Sequence, residues 1–188
     1  MHENSYEVFS RAFVDVAKSM KIGRGIDDGV QMGPMANARG VATAKRLVED
    51  AVSRGAELLT GGDRPAAFNR GYFFAPTVLG RVPDDALIMN EEPFAPVAPI
   101  TTFRDYDEVI RRANALPFGL AGYVFSNSIK TATLAAEALE VGMVGVNDMM
   151  LASAEAPFGG VKESGMGREG GVLGLRDYME AKYIKLKL

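Results

Sequence analysis

The sequence predicts a layered α/β domain, because helical patterns and short apolar strands alternate along its 188 residues. Two continuous apolar runs, LAGYVFS at 120–126 and VGMVGVND at 141–148, are typical of strands buried on both faces of a parallel sheet. A helical pattern separates these two runs, as expected for parallel strands joined by a crossover. We therefore expect parallel strands packed against helices.

The first predicted helix covers residues 4–21, with Asn4 or Ser5 as its N-cap. Its apolar face is expected to contain four residues at helical spacing: Phe9, Phe13, Val16 and Met20. The second helix is expected to begin after the cap Asn37 and to end near Gly55. Its apolar face is predicted to consist of Val41, Ala44, Leu47, Val48 and Ala51.

Further elements follow from the same patterns. Strands are predicted within the runs AELLTGG, YFFAPTVLGRV and APVAPITTF. Asp105 is expected to cap a third helix that stops before Pro117, and a fourth helix should run from Ser126 or Asn127 to Leu139. The ending, DYMEAKYIKLKL at 177–188, alternates apolar and basic residues and is predicted to be a strand.

Composition excludes several classes of function. A net charge of −3 and a pI near 5.3 give no basic surface for nucleic acid or for an anionic membrane. No apolar run is long enough for a membrane helix, and MHENSYEVF does not resemble a signal peptide, so we expect a cytoplasmic protein. With no cysteine and a single histidine, at the terminal position 2, we expect no catalytic residue and no metal site in these residues.

The stretch SGMGREGGVLG contains the G-x-G-x-x-G spacing of a dinucleotide-binding loop, at Gly165, Gly167 and Gly170. Such a loop should follow a buried strand and open a helix, with an acidic residue about 20 positions further on. Here the preceding residues are APFGGVKES, and Glu180 follows too soon. We therefore expect a glycine-rich turn instead, which excludes a free-standing nucleotide-binding module.

Several motifs in order resemble the C-terminal part of an aldehyde dehydrogenase: QMGP, GYFFAPTV, NEEPFAP, EVGMVGVND and EAPFGGVKESGMGREGG. The likeness covers essentially the whole chain and is strongest to the succinate-semialdehyde dehydrogenase group. It implies a three-layer parallel-sheet catalytic domain of aldehyde dehydrogenase type over residues 1–176. It also implies a C-terminal oligomerisation strand over 177–188, with the N-terminal cofactor-binding domain absent.

The resemblance implies oxidation of an aldehyde, expected to be succinic semialdehyde, to its acid with NAD or NADP. In the family a cysteine thiolate attacks the aldehyde and a glutamate activates water. Both residues, and most of the cofactor-binding residues, are expected upstream of this chain, so the chain alone should be inactive. The expected partners are an aldehyde and further copies of the chain, or its missing N-terminal half. The alternative is a truncated, non-catalytic product that acts only in assembly.

Four residues match positions with a role in the family. Glu92 and Phe94 match residues beside the nicotinamide end of the cofactor, although an acidic turn with Phe94 in the core is the alternative. Ala95 stands where the family usually has glycine. Ser153 matches a serine that hydrogen-bonds the distal carboxylate of the substrate, and Phe158 matches an aromatic residue of the aldehyde tunnel. A solvated loop serine is the alternative for Ser153.

Three other groups of residues are expected to be structural. Met149, Met150 and Leu151 are predicted to be packing residues. Arg168 and Glu169 are predicted to form an ion pair that fixes the glycine turn, and Lys162 is predicted to be solvated or structural.

Overall fold

The structure, a computed structural model, describes residues 1–188 and divides into two compact units, Met1–Asp105 and Tyr106–Leu188. None of the helices is both long enough and apolar enough to span a lipid bilayer. The two units differ in how they are built, and each is described in turn. The predicted assignment of residues 1–176 and 177–188 to catalysis and oligomerisation stays a prediction.

The first unit contains a small mixed sheet with helices packed on it. Its elements in order are α1 (Glu3–Ser19), α2 (Ala38–Ser53), β1 (Glu57–Thr60), β2 (Thr77–Gly80), a one-turn 3-10 helix (Leu87–Met89) and β3 (Val97–Pro99). β2 is the central strand, antiparallel to β1 and parallel to β3. The three predicted strand regions are therefore confirmed, with shorter bounds.

Successive side chains of β2 point to opposite faces of this sheet. Leu79 lies in a buried cluster with Leu47 and Val48 of α2. Val78 lies in a second cluster with Tyr6 and Ala17 of α1. The two helices therefore cover opposite faces, and the first unit has the three layers that the family resemblance implies.

The N-terminus of α1 differs from the prediction. His2, rather than Asn4 or Ser5, is the N-cap, because its Nδ1 accepts a hydrogen bond from the Asn4 backbone N–H at 3.2 Å. The same ring lies edge-on to Phe103, with centroids 5.5 Å apart. A side chain that caps a helix and packs against an aromatic ring explains the position of His2 without a chemical role.

The predicted apolar face of α1 is also wrong. The residues buried on this helix are Tyr6, Ser10 and Ala17, whereas Phe9, Phe13 and Val16 are exposed. Both sets follow helical spacing, so periodicity alone did not decide which one faces the sheet. In α2 the prediction is confirmed: Asn37 caps the helix by accepting from the Gly40 N–H at 2.9 Å, and Leu47 is fully buried.

The second unit consists of short elements. They are α3 (Tyr106–Ala113), β4 (Phe118–Gly119), β5 (Ala121–Val124), α4 (Ile129–Ala138), β6 (Met143–Val146), β7 (Val161–Lys162), α5 (Gly171–Gly174) and a 3-10 turn (Leu175–Tyr178). β5 and β6 pair in parallel, as predicted, and β4 pairs antiparallel with β7. Ser128, rather than Ser126 or Asn127, caps α4.

The expectation that β5 and β6 are buried on both faces is not met. Tyr123 of β5 is 43% exposed and Val146 of β6 is 38% exposed. α4 contacts both strands, and its Ala132 and Ala135 are buried. The apolar character of these strands therefore predicted the parallel pairing but overstated the burial.

The end of the chain forms no strand in the structure. Residues 179–188 have no regular secondary structure, and their large apolar side chains, such as Tyr183 and Ile184, are exposed. A strand exists only when it is paired, and a single chain offers this segment no partner. The predicted role of 177–188 in oligomerisation stays a prediction.

Candidate functional site

Glu92 and Phe94 lie in a corner of the first unit between the 3-10 helix and β3. The Asn90 side-chain amide donates to the Asp84 and Ala86 carbonyls, each at 3.1 Å, which fixes the start of the corner. Glu91 forms an ion pair of 2.6 Å with Arg46 of α2. The corner is therefore attached to the packed part of the unit at both of these points.

The Asp50 carboxylate of α2 also holds the 3-10 helix that leads into this corner. It accepts a hydrogen bond from the Leu87 backbone N–H at 2.8 Å and pairs with Arg54 at 2.9 Å. The bond from the Leu87 N–H, and then the Arg54 side chain, lower the pKa of Asp50. Asp50 is therefore ionised when it holds the 3-10 helix that leads into the corner.

The two predicted cofactor-side residues are both exposed. Phe94 is 83% exposed and has a φ of 40°, in the left-handed region that a bulky residue rarely adopts. The alternative in which Phe94 belongs to the core is therefore wrong. Glu92 is also exposed. Ala95 packs against the first core cluster, so its methyl group faces the protein interior.

Ser153 and Phe158 lie on one loop that follows β6, at the carboxyl end of the parallel pair β5–β6. Asn147 begins this loop with a φ of 53°. Its side-chain amide accepts from the Ser126 N–H at 2.9 Å and donates to the Ser126 carbonyl at 3.0 Å. Asn147 therefore acts like an additional peptide group that extends the pairing beyond β5 and β6.

The hydroxyl group of Ser153 is free to donate a hydrogen bond. Its Oγ accepts from the Ala156 N–H at 3.3 Å, and the residue is exposed. A hydroxyl that accepts one hydrogen bond still has its own proton available for an acceptor such as a carboxylate. The bond to Ala156 also fixes the hydroxyl group relative to the loop backbone.

Phe158 closes the loop. Its backbone N–H donates to the Glu169 carbonyl, and the Glu169 N–H donates to the Phe158 carbonyl, both at 2.7 Å. Phe158 also contributes to an open cavity of about 480 Å³, whose other walls include Arg168 and Tyr178. Ser153 does not line this cavity. The structure thus places Ser153 and Phe158 on one loop, with the cavity beside Phe158 only.

The glycine-rich stretch is a turn, as predicted. Gly165, Gly167 and Gly170 all have positive φ, at 106°, 91° and 70°. The strand before the stretch has two residues, and the helix after it has four. A loop that grips a pyrophosphate needs a full strand and a longer helix, so this stretch does not have that architecture.

The charged residues of this stretch act on the backbone. The Arg168 guanidinium donates to the carbonyls of Gly160 at 2.8 Å and Gly167 at 2.6 Å. The predicted Arg168–Glu169 ion pair is therefore wrong: the guanidinium bonds to backbone carbonyls instead. Lys162 is structural, as predicted: it pairs with Glu140 at 2.6 Å and donates to two carbonyls.

Sequence reasoning missed the role of Asn147 and misjudged two methionines. Met149 and Met150 are 61% and 78% exposed, so the packing prediction is wrong for both, while Leu151 is partly buried. Asparagine directly after a strand was an available signal for Asn147, because asparagine tolerates positive φ and bonds to nearby backbone groups. The structure contains no group of three or more side chains able to hold a metal ion.

Comparison with known proteins gives the class to which this geometry belongs. The model of the aldehyde dehydrogenase family matches residues 1–184. The chain therefore belongs to the aldehyde dehydrogenase family, and the predicted resemblance is confirmed.

Two relatives show which members of the family the chain resembles. It is 42% identical to the mitochondrial succinate-semialdehyde dehydrogenase of Oryza sativa subsp. japonica, over 98% of this chain and 34% of the relative. It is 41% identical to the glutarate-semialdehyde dehydrogenase of Pseudomonas putida, over 98% of this chain and 38% of the relative. The chain thus spans about a third of the length of these relatives.

A solved structure confirms the predicted fold class. The crystal structure of an E. coli NADP dependent enzyme superimposes with a TM-score of 0.94 at 38% identity. The match covers 100% of this chain and 38% of that one. The crystal structure of succinate-semialdehyde dehydrogenase from Burkholderia pseudomallei also matches, with a TM-score of 0.91 at 42% identity over 94% of this chain and 36% of that one. The α/β fold of aldehyde dehydrogenase type is therefore present in these residues.

Proposed function

We propose that this chain forms part of an NAD(P)⁺-dependent aldehyde dehydrogenase that oxidises an aldehyde bearing a distal carboxylate, with succinic semialdehyde as the expected substrate. The family match over residues 1–184 supports the reaction class. Relatives named for succinate and glutarate semialdehydes support the substrate class, because both compounds carry a carboxylate away from the aldehyde.

The exposed hydroxyl group of Ser153 is the main structural support for the proposed substrate. The hydroxyl group can still donate a hydrogen bond, and the Ala156 N–H, which donates to its oxygen, fixes its position. The loop begins at the carboxyl end of parallel strands, where α/β proteins commonly bind ligands. We propose that the Ser153 hydroxyl donates a hydrogen bond to the distal carboxylate and that Phe158 forms part of the apolar wall beside it.

Glu92 and Phe94 fit the nicotinamide end of the cofactor. An exposed carboxylate accepts hydrogen bonds from ribose hydroxyls, and an exposed aromatic ring offers a flat apolar face. The left-handed backbone of Phe94 holds that ring away from the core, and such strain is typical of functional sites. When bound, NAD(P)⁺ supplies the hydride acceptor, and these two residues would orient it.

The chain contains no cysteine. A thiolate is the nucleophile that the family resemblance implies, so we propose that the covalent step uses a cysteine outside these 188 residues. The contribution of this chain is then to orient the substrate carboxylate through Ser153 and the cofactor through Glu92 and Phe94. Alone, it should not turn over aldehyde.

We also propose that the chain assembles with further copies of itself. Residues 179–188 alternate apolar and basic side chains and are exposed, as expected for a strand that needs a partner. This same exposed segment favours the second candidate, a non-catalytic assembly partner. Light scattering tests assembly: we expect oligomers for the full chain and a smaller species after deletion of 179–188, whereas a monomeric full chain would contradict assembly.

The substrate proposal is tested with a chimera in which this chain replaces the matching third of the rice relative. We expect the chimera to oxidise succinic semialdehyde, and Ser153→Ala to lower kcat/KM about 10- to 100-fold, because a hydrogen bond to a charged group is lost. Butanal, which has the same carbon number and no carboxylate, should be unaffected. Ser153→Thr keeps the hydroxyl and should retain most of the activity.

Two outcomes of this experiment would count against the proposal. If Ser153→Ala affects both aldehydes equally, Ser153 does not recognise the carboxylate. If a folded chimera has no activity while the rice parent is active, the chain does not supply a working part of a dehydrogenase. The assembly-only alternative would then be favoured.

A further inference from the structure

The glycine-rich stretch lies against the loop that carries Ser153, and the two contact each other through backbone atoms. The Gly171 N–H donates to the Ala154 carbonyl at 2.9 Å. A Cβ atom added to Gly170 would lie 2.8 Å from the Ala156 carbonyl oxygen, and one added to Gly171 would lie 2.7 Å from the Glu155 carbonyl oxygen. No side chain fits at either position without movement, since contacts this short are almost never made by real Cβ atoms.

We propose that Gly170 and Gly171 are positioning residues that set the place of the Ser153 hydroxyl, and through it the selectivity for carboxylated aldehydes. Neither glycine touches substrate in this proposal. They act by letting the loop carbonyls of 154–156 approach the turn closely. The specificity part of this inference rests on the proposed function of Ser153.

The turn is the fixed side of this contact. The Arg168 backbone N–H donates to Asp177, and the Arg168 guanidinium donates to the carbonyls of Gly160 and Gly167. The paired hydrogen bonds between Phe158 and Glu169 hold the same turn directly before Gly170. The turn that carries Gly170 and Gly171 is therefore held on several sides, so a methyl group added at either glycine pushes against the loop carbonyls.

The loop is the side that yields. Residues 152–155 are exposed. A side-chain hydrogen bond joins this segment to the next residue, from the Ala156 N–H to the Ser153 Oγ. A displaced Ala156 moves the donor that fixes the Ser153 hydroxyl. A shift of a few tenths of an ångström is enough to spoil a hydrogen bond to a bound carboxylate, because hydrogen-bond energy depends steeply on geometry.

The chain offers a matched control at Gly165. Its φ of 106° is positive, like those of Gly170 and Gly171, but an added Cβ would have nothing within 4 Å. Gly165→Ala therefore introduces backbone strain in the same turn without a steric contact. A difference between Gly165→Ala and the other two variants isolates the contact with the loop.

The first test is hydrogen exchange of the 188-residue chain, followed residue by residue by NMR. In Gly170→Ala and Gly171→Ala we expect the backbone amides of residues 156 and 171 to exchange about tenfold faster or more, because their hydrogen bonds are lengthened. Gly165→Ala should leave both amides unchanged. Unchanged amides in all three variants, or equal changes in all three, would overturn the proposal.

The second test measures selectivity in the chimera described above. Gly170→Ala should raise KM for succinic semialdehyde about tenfold and leave KM for butanal unchanged.

If the amides respond but KM does not, the glycines do not set selectivity. If Gly170→Ala and Gly171→Ala both fail to fold while Gly165→Ala folds, the glycines serve folding, and the positioning role is wrong. If the parent chimera lacks activity with succinic semialdehyde, the proposed function fails, and hydrogen exchange still decides whether the glycines place the loop.

Discussion

The two units of this chain are stabilised in different ways. In the first unit, α1 and α2 enclose a sheet, and the largest fully buried side chains, including Phe74, Leu47 and Leu79, all lie there. In the second unit, Ala132 and Ala135 are the only buried hydrophobic residues. Its loop is held instead by hydrogen bonds and by close contacts at glycine.

This difference shows where each unit tolerates change. Hydrophobic burial in the first unit is spread over many side chains. It stabilises the unit that carries Glu92 and Phe94, although these two residues are not buried themselves. Backbone contacts are local, and one added methyl group alters them. We therefore expect core substitutions in the first unit to lower its global stability, and substitutions around the second unit's loop to change loop geometry and local stability.

The largest expected effect is on the core of the first unit. Phe74 is 1% exposed, so Phe74→Ala should lower the free energy of unfolding by about 3–5 kcal/mol through lost burial and a cavity. Phe125→Ala in the second unit is the matched control, since Phe125 is 63% exposed and should change stability by less than about 1 kcal/mol. Urea denaturation measures both, and equal losses would refute the contrast between the units.

The next effect concerns the polar attachment of the loop. Asn147→Ala removes two hydrogen bonds and places alanine at a φ of 53°, which should cost about 2–4 kcal/mol in local stability. Asn147→Gly keeps the backbone freedom and should recover part of that loss. Hydrogen exchange around Ser126 measures the change, with exposed Asn127→Ala as control. No difference between Asn147→Ala and Asn127→Ala would show that the amide pairing is unimportant.

A pH-dependent effect is expected in the first unit. Because the folded pKa of Asp50 is lowered, its contribution is fully present above the unfolded value of about 3.9 and is lost as pH falls through the lower folded pKa. The stability of Asp50→Asn should therefore fall less between about pH 5 and pH 2 than that of the parent chain. Parallel acid profiles for the two proteins would contradict this assignment.

The smallest effect is expected at the Arg46–Glu91 ion pair. Both side chains are about half exposed, at 49% and 46%, so water and salt screen the pair. Arg46→Ala should change unfolding free energy by no more than about 1 kcal/mol, and less at high salt. A larger, salt-independent loss in thermal denaturation would mean that this pair carries more of the corner than packing does.

The sequence was a good guide where a pattern has one solution. The Asn37 cap, the buried face of α2 and the parallel pairing of β5 with β6 follow from local chemistry and periodicity. It failed on α1, where two stripes both have helical spacing and only tertiary packing selects the one with Tyr6. The predicted burial of β5 and β6 also failed, because these two strands form a two-stranded sheet, which exposes side chains that a larger sheet would bury.

The candidate site shows the same limit. The motifs predict site roles for Glu92, Phe94, Ser153 and Phe158, and these roles stay predictions. No sequence pattern indicates that Phe94 has positive φ and is exposed. Nor does a glycine motif say what approaches it. The contacts of Gly170 and Gly171 with the loop are between backbones distant enough in sequence that only the folded chain brings them together.

We propose that this chain supplies substrate- and cofactor-orienting groups and that the nucleophile lies outside these 188 residues. The most direct test incubates the purified 188-residue chain with succinic semialdehyde and NAD⁺ or NADP⁺ and follows absorbance of the reduced cofactor. We predict no rate above that of a blank without protein, because no thiolate is present to form the covalent intermediate. Reduced cofactor formed in proportion to chain concentration, and dependent on the aldehyde, would show that the chain oxidises aldehyde without an external cysteine.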